Sequence, residues 1–241
     1  MQIEFSAESD QGKIRESNED SYVANGDHAI FLVADGMGGH AAGEIASQIA
    51  AAAVEEALLQ REPGFEMREL MRLAVENANE RVFDTQKVKP EFSGMGSTLT
   101  VLTFFDSHYY VAQVGDSRAY LFRDGALSQL TQDHSVVWSL FESGVLSKDD
   151  ISHHPQKNLI TRSIGTHPEV EIDLLTDKVS AGDVYLLCSD GLTDVLTDED
   201  IERAMKNGEG NPQKISEELI REANSGGGPD NITVIVVRLV P

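Results

Sequence analysis

The chain has 241 residues, 40% of them hydrophobic, with 41 acidic against 19 basic side chains and a formal net charge of -22. That is enough apolar residue for one sizeable core, and the charge disfavours nucleic acid and anionic membrane surface as partners because both are polyanions. The single cysteine, Cys188, excludes an internal disulfide and fits a reducing compartment.

Residues 2–9, 20–25 and 28–34 read as strands, rich in β-branched and aromatic side chains. The first residues, Met1 to Glu8, have no basic stretch followed by an apolar one, so they are not a secretory signal. Helices are predicted over the alanine-rich residues 41–60, where Ile45 and Ile49 lie one turn apart, and over 66–85. In the second, Met67, Leu70, Met71, Ala74, Val75, Ala78 and Val82 recur at helical spacing and form a core face. Strands follow at 97–105, 108–115, 117–123 and 126–130. Asp124-Gly125 makes a tight hairpin turn, so Asp-Gly alone is weak evidence of a site. Short helices cover 134–143 and 198–206. Residues 144–168 lack periodicity and read as a functional loop. Further strands fall at 170–175, 183–189 and 231–239. Before the last, Pro212 opens a helix with Ile215, Leu219, Ile220 and Ala223 on one face. No run approaches a membrane span. The order implies an α+β fold, two antiparallel sheets flanked by helices, in a single domain, 1–241, of a cytoplasmic protein. The chain closes just after its last strand, so no fused sensor or membrane anchor is expected.

Asp35, Asp116, Asp190 and Asp230 each sit at the end of an apolar run. Gathered at one rim of the core, four carboxylates repel one another unless cations hold them. Oxygen ligands without nitrogen or sulfur favour Mg²⁺ or Mn²⁺ over zinc. The adjacent His153 and His154 diverge rather than chelate. Two hard cations can acidify a water and clamp a phosphoryl group, and Arg15, just ahead of Glu19-Asp20, offers a fork for two phosphate oxygens. Arg15 is equally consistent with an exposed ion pair to Glu19. Cysteine phosphatase chemistry is excluded, because the position six after Cys188 is Asp194 rather than arginine. Neither a Gly-x-Ser-x-Gly elbow nor a Walker-type loop is present.

Six motifs then appear in order: Arg15 to Asp20, Val33 to His40, Gly94 to Thr98, Val114 to Arg118, Leu187 to Gly191 and Gly228 to Thr233. Together they resemble the bacterial PP2C-type (PPM family) metal-dependent protein serine/threonine phosphatases. The resemblance implies a four-layer α-β-β-α sandwich with a metal cluster at one edge. It implies that Asp35 bridges two Mn²⁺ or Mg²⁺ ions, that Asp190 and Asp230 bind the first, and that the Gly36 carbonyl binds the second. Glu19 then reaches the second ion through water and Asp20 supports the cluster. Asp116, alongside Asp190, holds a weaker third ion. Arg15 holds the substrate phosphate, and residues 144–168 form a flap over the cleft.

One position departs from the family pattern: some members carry a histidine, the proposed general acid, where this chain has Met37. His40 is the candidate for that role, with a third-ion water at Asp116 as the alternative. The implied reaction is hydrolysis of phosphoserine and phosphothreonine in proteins without a covalent intermediate, reversing a cognate Ser/Thr kinase, by a monomer. Two other readings stand beside it: a catalytically silent phosphoprotein-binding module, and a phosphatase acting on a partner-switching regulator.

Overall fold

The computed structural model describes residues 2–38, 41–61, 64–151 and 154–240. Its continuous apolar runs are strands buried on both faces. In β3 (Ile30–Met37), Ile30, Leu32 and Ala34 face a helical layer, while Phe31 and Val33 face the opposite sheet. In β11 (Ile232–Val240), Ile232, Val234 and Val236 meet helices, while Ile235, Val237 and Leu239 fill the space between sheets. Side chains alternate across a strand, so a strand sandwiched between two layers must be apolar at every position. Each such side chain contributes roughly 1.5–3 kcal/mol on burial.

The first sheet runs β1-β11-β10-β7-β8, with β1 at Gln2–Asp10, β7 at Arg118–Arg123, β8 at Ala126–Gln129 and β10 at Val184–Cys188. The second runs β2-β3-β5-β6-β9, with β2 at Asp20–Asn25, β5 at Leu99–Phe105, β6 at His108–Val114 and β9 at Asp173–Lys178. The two-residue strand β4 (Gly96–Ser97) pairs with β3. All these pairings are antiparallel.

Helices α1 (Ala41–Leu59) and α2 (Met67–Val88) cover the second sheet. The seven core positions expected on α2 are all buried. On α1 the buried stripe is Ala42, Ala46, Ala50, Ala53 and Val54, with Ile45 and Ile49 only half-buried beside it. Small side chains let that helix lie close on β3. The first sheet is covered by α6 (Asp198–Asn207) and α7 (Pro212–Ser225), through Ile201, Met205, Ile215 and Leu219. Short helices α3 (Val136–Glu142), α4 (Lys148–Ile151) and α5 (Asp190–Thr193) lie between strands. The architecture is therefore the expected α-β-β-α sandwich.

Several element bounds differ from the sequence expectation, two of them informatively. β9 begins three residues later than predicted, because its register is set by β6, with His108 opposite Lys178, while Val170 and Ile172 pack on the core before the strand starts. β3 runs on to Met37 because Gly36 and Met37 pair with Ser97 and Gly96. In the 144–168 segment, the last residues are pinned. Ile164 is fully buried, Gly165 N–H donates to Asn79 Oδ1 at 2.7 Å, and Asn79 Nδ2 donates to the His167 carbonyl at 3.0 Å.

Candidate active site

The ends of β2, β3, β10 and β11 and the turn after β6 bring the acidic residues to one edge of the sandwich. Asp20 stands directly opposite Asp35 in the β2–β3 register. Asp20 Oδ2 accepts from Ser189 Oγ at 2.7 Å and from Thr233 Oγ1 at 2.6 Å, which ties β2 to the ends of β10 and β11. The Asp35 and Asp190 carboxyls lie near enough to perturb each other's proton affinity. Arg15 Nη2 donates to Asp230 Oδ2 at 2.5 Å, so its partner is Asp230 rather than Glu19. The loop carrying Arg15 docks on the β11 approach through Lys13 N–H to the Gly228 carbonyl at 2.8 Å.

Backbone placement is fixed by neighbours of the acids. Asp35 N–H donates to Thr98 Oγ1 at 2.9 Å, and Thr98 N–H returns to the Asp35 carbonyl at 2.8 Å. Thr98 Oγ1 also bonds Ser117 Oγ at 2.7 Å, beside Asp116. His134 brackets Gly115 on the other side of Asp116: its N–H donates to the Gly115 carbonyl at 2.9 Å, and its Nδ1 accepts from Gly115 N–H at 3.1 Å. Asn231 joins three segments, accepting from Glu19 N–H at 2.8 Å and donating to the Gln11 and Ser17 carbonyls. Ser189, Thr98, Asn231 and Thr233 lie inside the sequence motifs, which by themselves give them no role. Ser189 and Asn231 each adjoin an aspartate in the sequence, a signal that Thr98 and Thr233 lack. His134 had no such signal, since it joins the site from 19 residues away.

The glycines of the site are close-approach positions. A Cβ on Gly36 would lie 2.2 Å from the Gly43 carbonyl oxygen and 2.6 Å from that of Glu19, and one on Gly191 would lie 2.0 Å from the Asn231 carbonyl. Gly125 of the hairpin has nothing within 4 Å and needs only its left-handed φ of 81°, so the two kinds of Asp-Gly separate on contact.

Burial dominates the electrostatics. It raises the Asp20 carboxyl to about 6 despite the Thr233 and Ser189 hydrogen bonds that oppose the shift. Asp116 is raised to about 7, by burial and then by Asp133. Asp35 is held well above the ordinary carboxylate range by burial and by Asp20, Asp190 and Asp116. Asp190 is held there by burial and by Asp116, Asp194 and Asp230. Burial likewise pushes the Cys188 thiol up to about 12, as suits a core residue and not a nucleophile.

Among the described residues no three acidic, histidine or cysteine side chains stand at chelating distance as they are. Instead Asp230 engages Arg15, and Asp20 engages the Ser189 and Thr233 hydroxyls. The donor set nevertheless fits hard divalent cations. Asp20 Oδ1 and Asp190 Oδ1 are buried without a hydrogen-bond partner, the candidate ligand atoms are all oxygen, and every raised carboxyl is one that a nearby cation would ionise. Glu19 points toward the first turn of α1, its Oε2 occupying the space a Cβ at position 43 would take. Met37 is a packing residue whose terminal methyl fills the space left by Gly96. His40 lies outside the described residues.

The profile of the protein phosphatase 2C family matches residues 13–209. The chain belongs to the protein phosphatase 2C family. Among its relatives, the serine/threonine protein phosphatase PstP of Mycobacterium tuberculosis is 41% identical over 238 residues, covering 99% of this chain and 45% of that protein. This chain therefore spans less than half the length of that relative. The serine/threonine phosphatase stp of Listeria monocytogenes is 37% identical over 246 residues, covering 98% of this chain and 95% of that protein. Among solved structures, M. tuberculosis PstP/Ppp superposes with a TM-score of 0.93 at 40% identity, covering 100% of both chains. The PstP catalytic domain in complex with two manganese ions superposes with a TM-score of 0.90 at 39% identity, covering 99% of both. The 2C-family motifs are the segments that meet at this edge of the sandwich.

Proposed function

We propose that this protein hydrolyses phosphoserine and phosphothreonine in proteins, with divalent cations, as a serine/threonine phosphatase. The observation that carries the reading is the meeting of Asp20, Asp35, Asp190 and Asp230 at one edge, with buried carboxylate oxygens that have no partner. Asp35, Asp190, Asp230 and the Gly36 carbonyl would hold two Mn²⁺ or Mg²⁺ ions. Glu19 and Asp20 would support them, and Asp116 with Asp190 would take a weaker third. Bound there, the ions supply charge neutralisation for the phosphoryl oxygens and lower the pKa of water.

The chain's own residues do the rest. Arg15, half-exposed on a loop, leaves Asp230 to fork two phosphoryl oxygens and stabilises the charge that develops on them. Thr98 and His134 hold the backbone at Asp35 and Asp116, so the carboxylates meet the substrate with little rearrangement. His40 is kept as the candidate proton donor to the leaving alkoxide. The whole chain acts as one catalytic domain with residues 144–168 as its flap, a cytoplasmic monomer opposing a cognate Ser/Thr kinase. No described helix is long and apolar enough to cross a membrane.

The test is phosphate release from a phosphothreonine peptide with Mn²⁺, with Mg²⁺ and with chelator. Turnover that needs the divalent ion supports the assignment. A folded protein that releases no phosphate under any of these conditions refutes it.

A further inference from the structure

Beside the carboxylates lies a cavity of about 360 Å³ that shares Asp116 and Asp190 with the site above. Part of its wall is satisfied from within. Arg118 grips Asp133 through Nε at 2.8 Å and Nη2 at 2.6 Å and donates to the Tyr120 hydroxyl, so that pair offers little to a ligand. The remaining wall is different. Lys157, from the 144–168 segment, reaches across to Asp194 at 3.0 Å. Glu199 stands exposed in the first turn of α6. Trp138 lines the same cavity, placed by the Ser135 cap of α3 and by its tilted contact with Phe141 at 5.3 Å. Its indole Nε1 is buried and has no hydrogen-bond partner.

An aromatic ring among carboxylates is the chemistry that recognises a guanidinium or ammonium group. A buried indole N–H without an acceptor is costly, and a backbone carbonyl of a bound peptide would satisfy it. One kind of occupant supplies both: a polypeptide carrying a basic side chain. Lys157 already plays the ammonium's part from inside the chain by holding Asp194.

We infer that this cavity is a subsite for a lysine or arginine side chain of the substrate, so that phosphorylated residues with a basic neighbour are selected. The inference rests on the phosphatase reading. An incoming basic side chain takes Asp194 from Lys157, pairs with Glu199 and lies against Trp138, while the phosphoryl group sits at the shared Asp116–Asp190 side.

The test compares kcat/KM of the intact protein, with Mn²⁺, on phosphothreonine peptides of equal length flanked by arginine, alanine or glutamate, and on p-nitrophenyl phosphate. The arginine peptide should exceed the alanine one by about tenfold. Glu199→Lys should reduce that ratio by about threefold or more while leaving p-nitrophenyl phosphate turnover unchanged, and Lys157→Ala should increase the ratio. The charge-matched control Glu80→Lys, exposed on α2, should leave the ratio as it is. Equal rates on the three peptides, or a ratio that neither cavity variant alters, overturns the subsite while the ester activity stands. A fall with Glu80→Lys as large as with Glu199→Lys also overturns it, because net charge then explains the preference. No turnover on any phosphoester overturns the phosphatase reading, and the subsite with it.

Discussion

Asp20 and Asp35 face each other across the β2–β3 pair, two carboxyls at directly opposed positions of an antiparallel ladder. Like charges so placed destabilise a sheet. The fold accommodates them by raising their proton affinity through burial and by giving Asp20 two hydroxyl donors, while Asp20 Oδ1 is buried without a hydrogen-bond partner.

Metal-free stability should therefore fall as pH rises. Below about pH 4 Asp20 and Asp116 are protonated in both folded and unfolded chains. Above it the unfolded chain ionises first, near the ordinary value of about 4, while the folded chain keeps its protons to about 6 and about 7. The unfolded state then binds fewer protons, so stability declines from about pH 4 as pH rises, and Asp35 and Asp190, also held well above the ordinary carboxylate range, add to the decline in the same sense. Carboxyls lowered by arginine, such as Asp183 beside Arg123, act in the opposite sense but below that window. Melting temperature in chelator across pH 4.5–8 checks this, and millimolar Mn²⁺ at pH 8 should recover the loss. A chelator profile that rises with pH refutes it.

Asp190→Asn should separate stability from activity. It removes a buried carboxyl whose ionisation is opposed by burial and by Asp116, Asp194 and Asp230, so the metal-free melting temperature should become less dependent on pH and at pH 8 should rise by about 3 °C or more. The Mn²⁺-induced increase should disappear, and turnover should fall at least about a hundredfold. Near-normal turnover in this variant sinks the ligand assignment.

Arg15 is paired with Asp230, and the proposed function makes a phosphoryl group its competing partner. Arg15→Ala should leave Mn²⁺ affinity unchanged or tighter, because Asp230 is released, while kcat/KM on a phosphopeptide drops about tenfold or more. Arg15→Lys should recover only part of the loss, since an ammonium cannot fork two oxygens. Mn²⁺ titration calorimetry alongside kinetics reads both. Weaker Mn²⁺ binding by Arg15→Ala would falsify the exchange.

Gly36→Ala should destabilise the fold by about 3 kcal/mol, the upper end for overpacking, because its Cβ meets backbone of Gly43 and Glu19 rather than a movable side chain. Gly125→Ala meets no atom and bears only the left-handed backbone penalty, about 1 kcal/mol. Urea denaturation compares them, and equal losses would show that close approach is not what the motif glycine provides.

Much of this was legible from residues alone. Alternation and helical spacing located the strands and the long helices, because a buried face imposes its period directly on the sequence. The apolar runs ending in aspartate marked which strands were sandwiched between two layers and where each reached the rim. The motif order identified the acids. Tertiary structure decided which groups meet. Arg15 and Asp230 are 215 positions apart, and no local pattern encodes a pair held by two docked loops. The same holds for His134 at Gly115, for the cavity walled by Trp138, Lys157 and Glu199, and for the protons held on Asp20 and Asp116. Periodicity reports how a segment is buried. Which distant carboxyls share one low-dielectric pocket, and so what charge they carry, is set only when the two sheets close on each other.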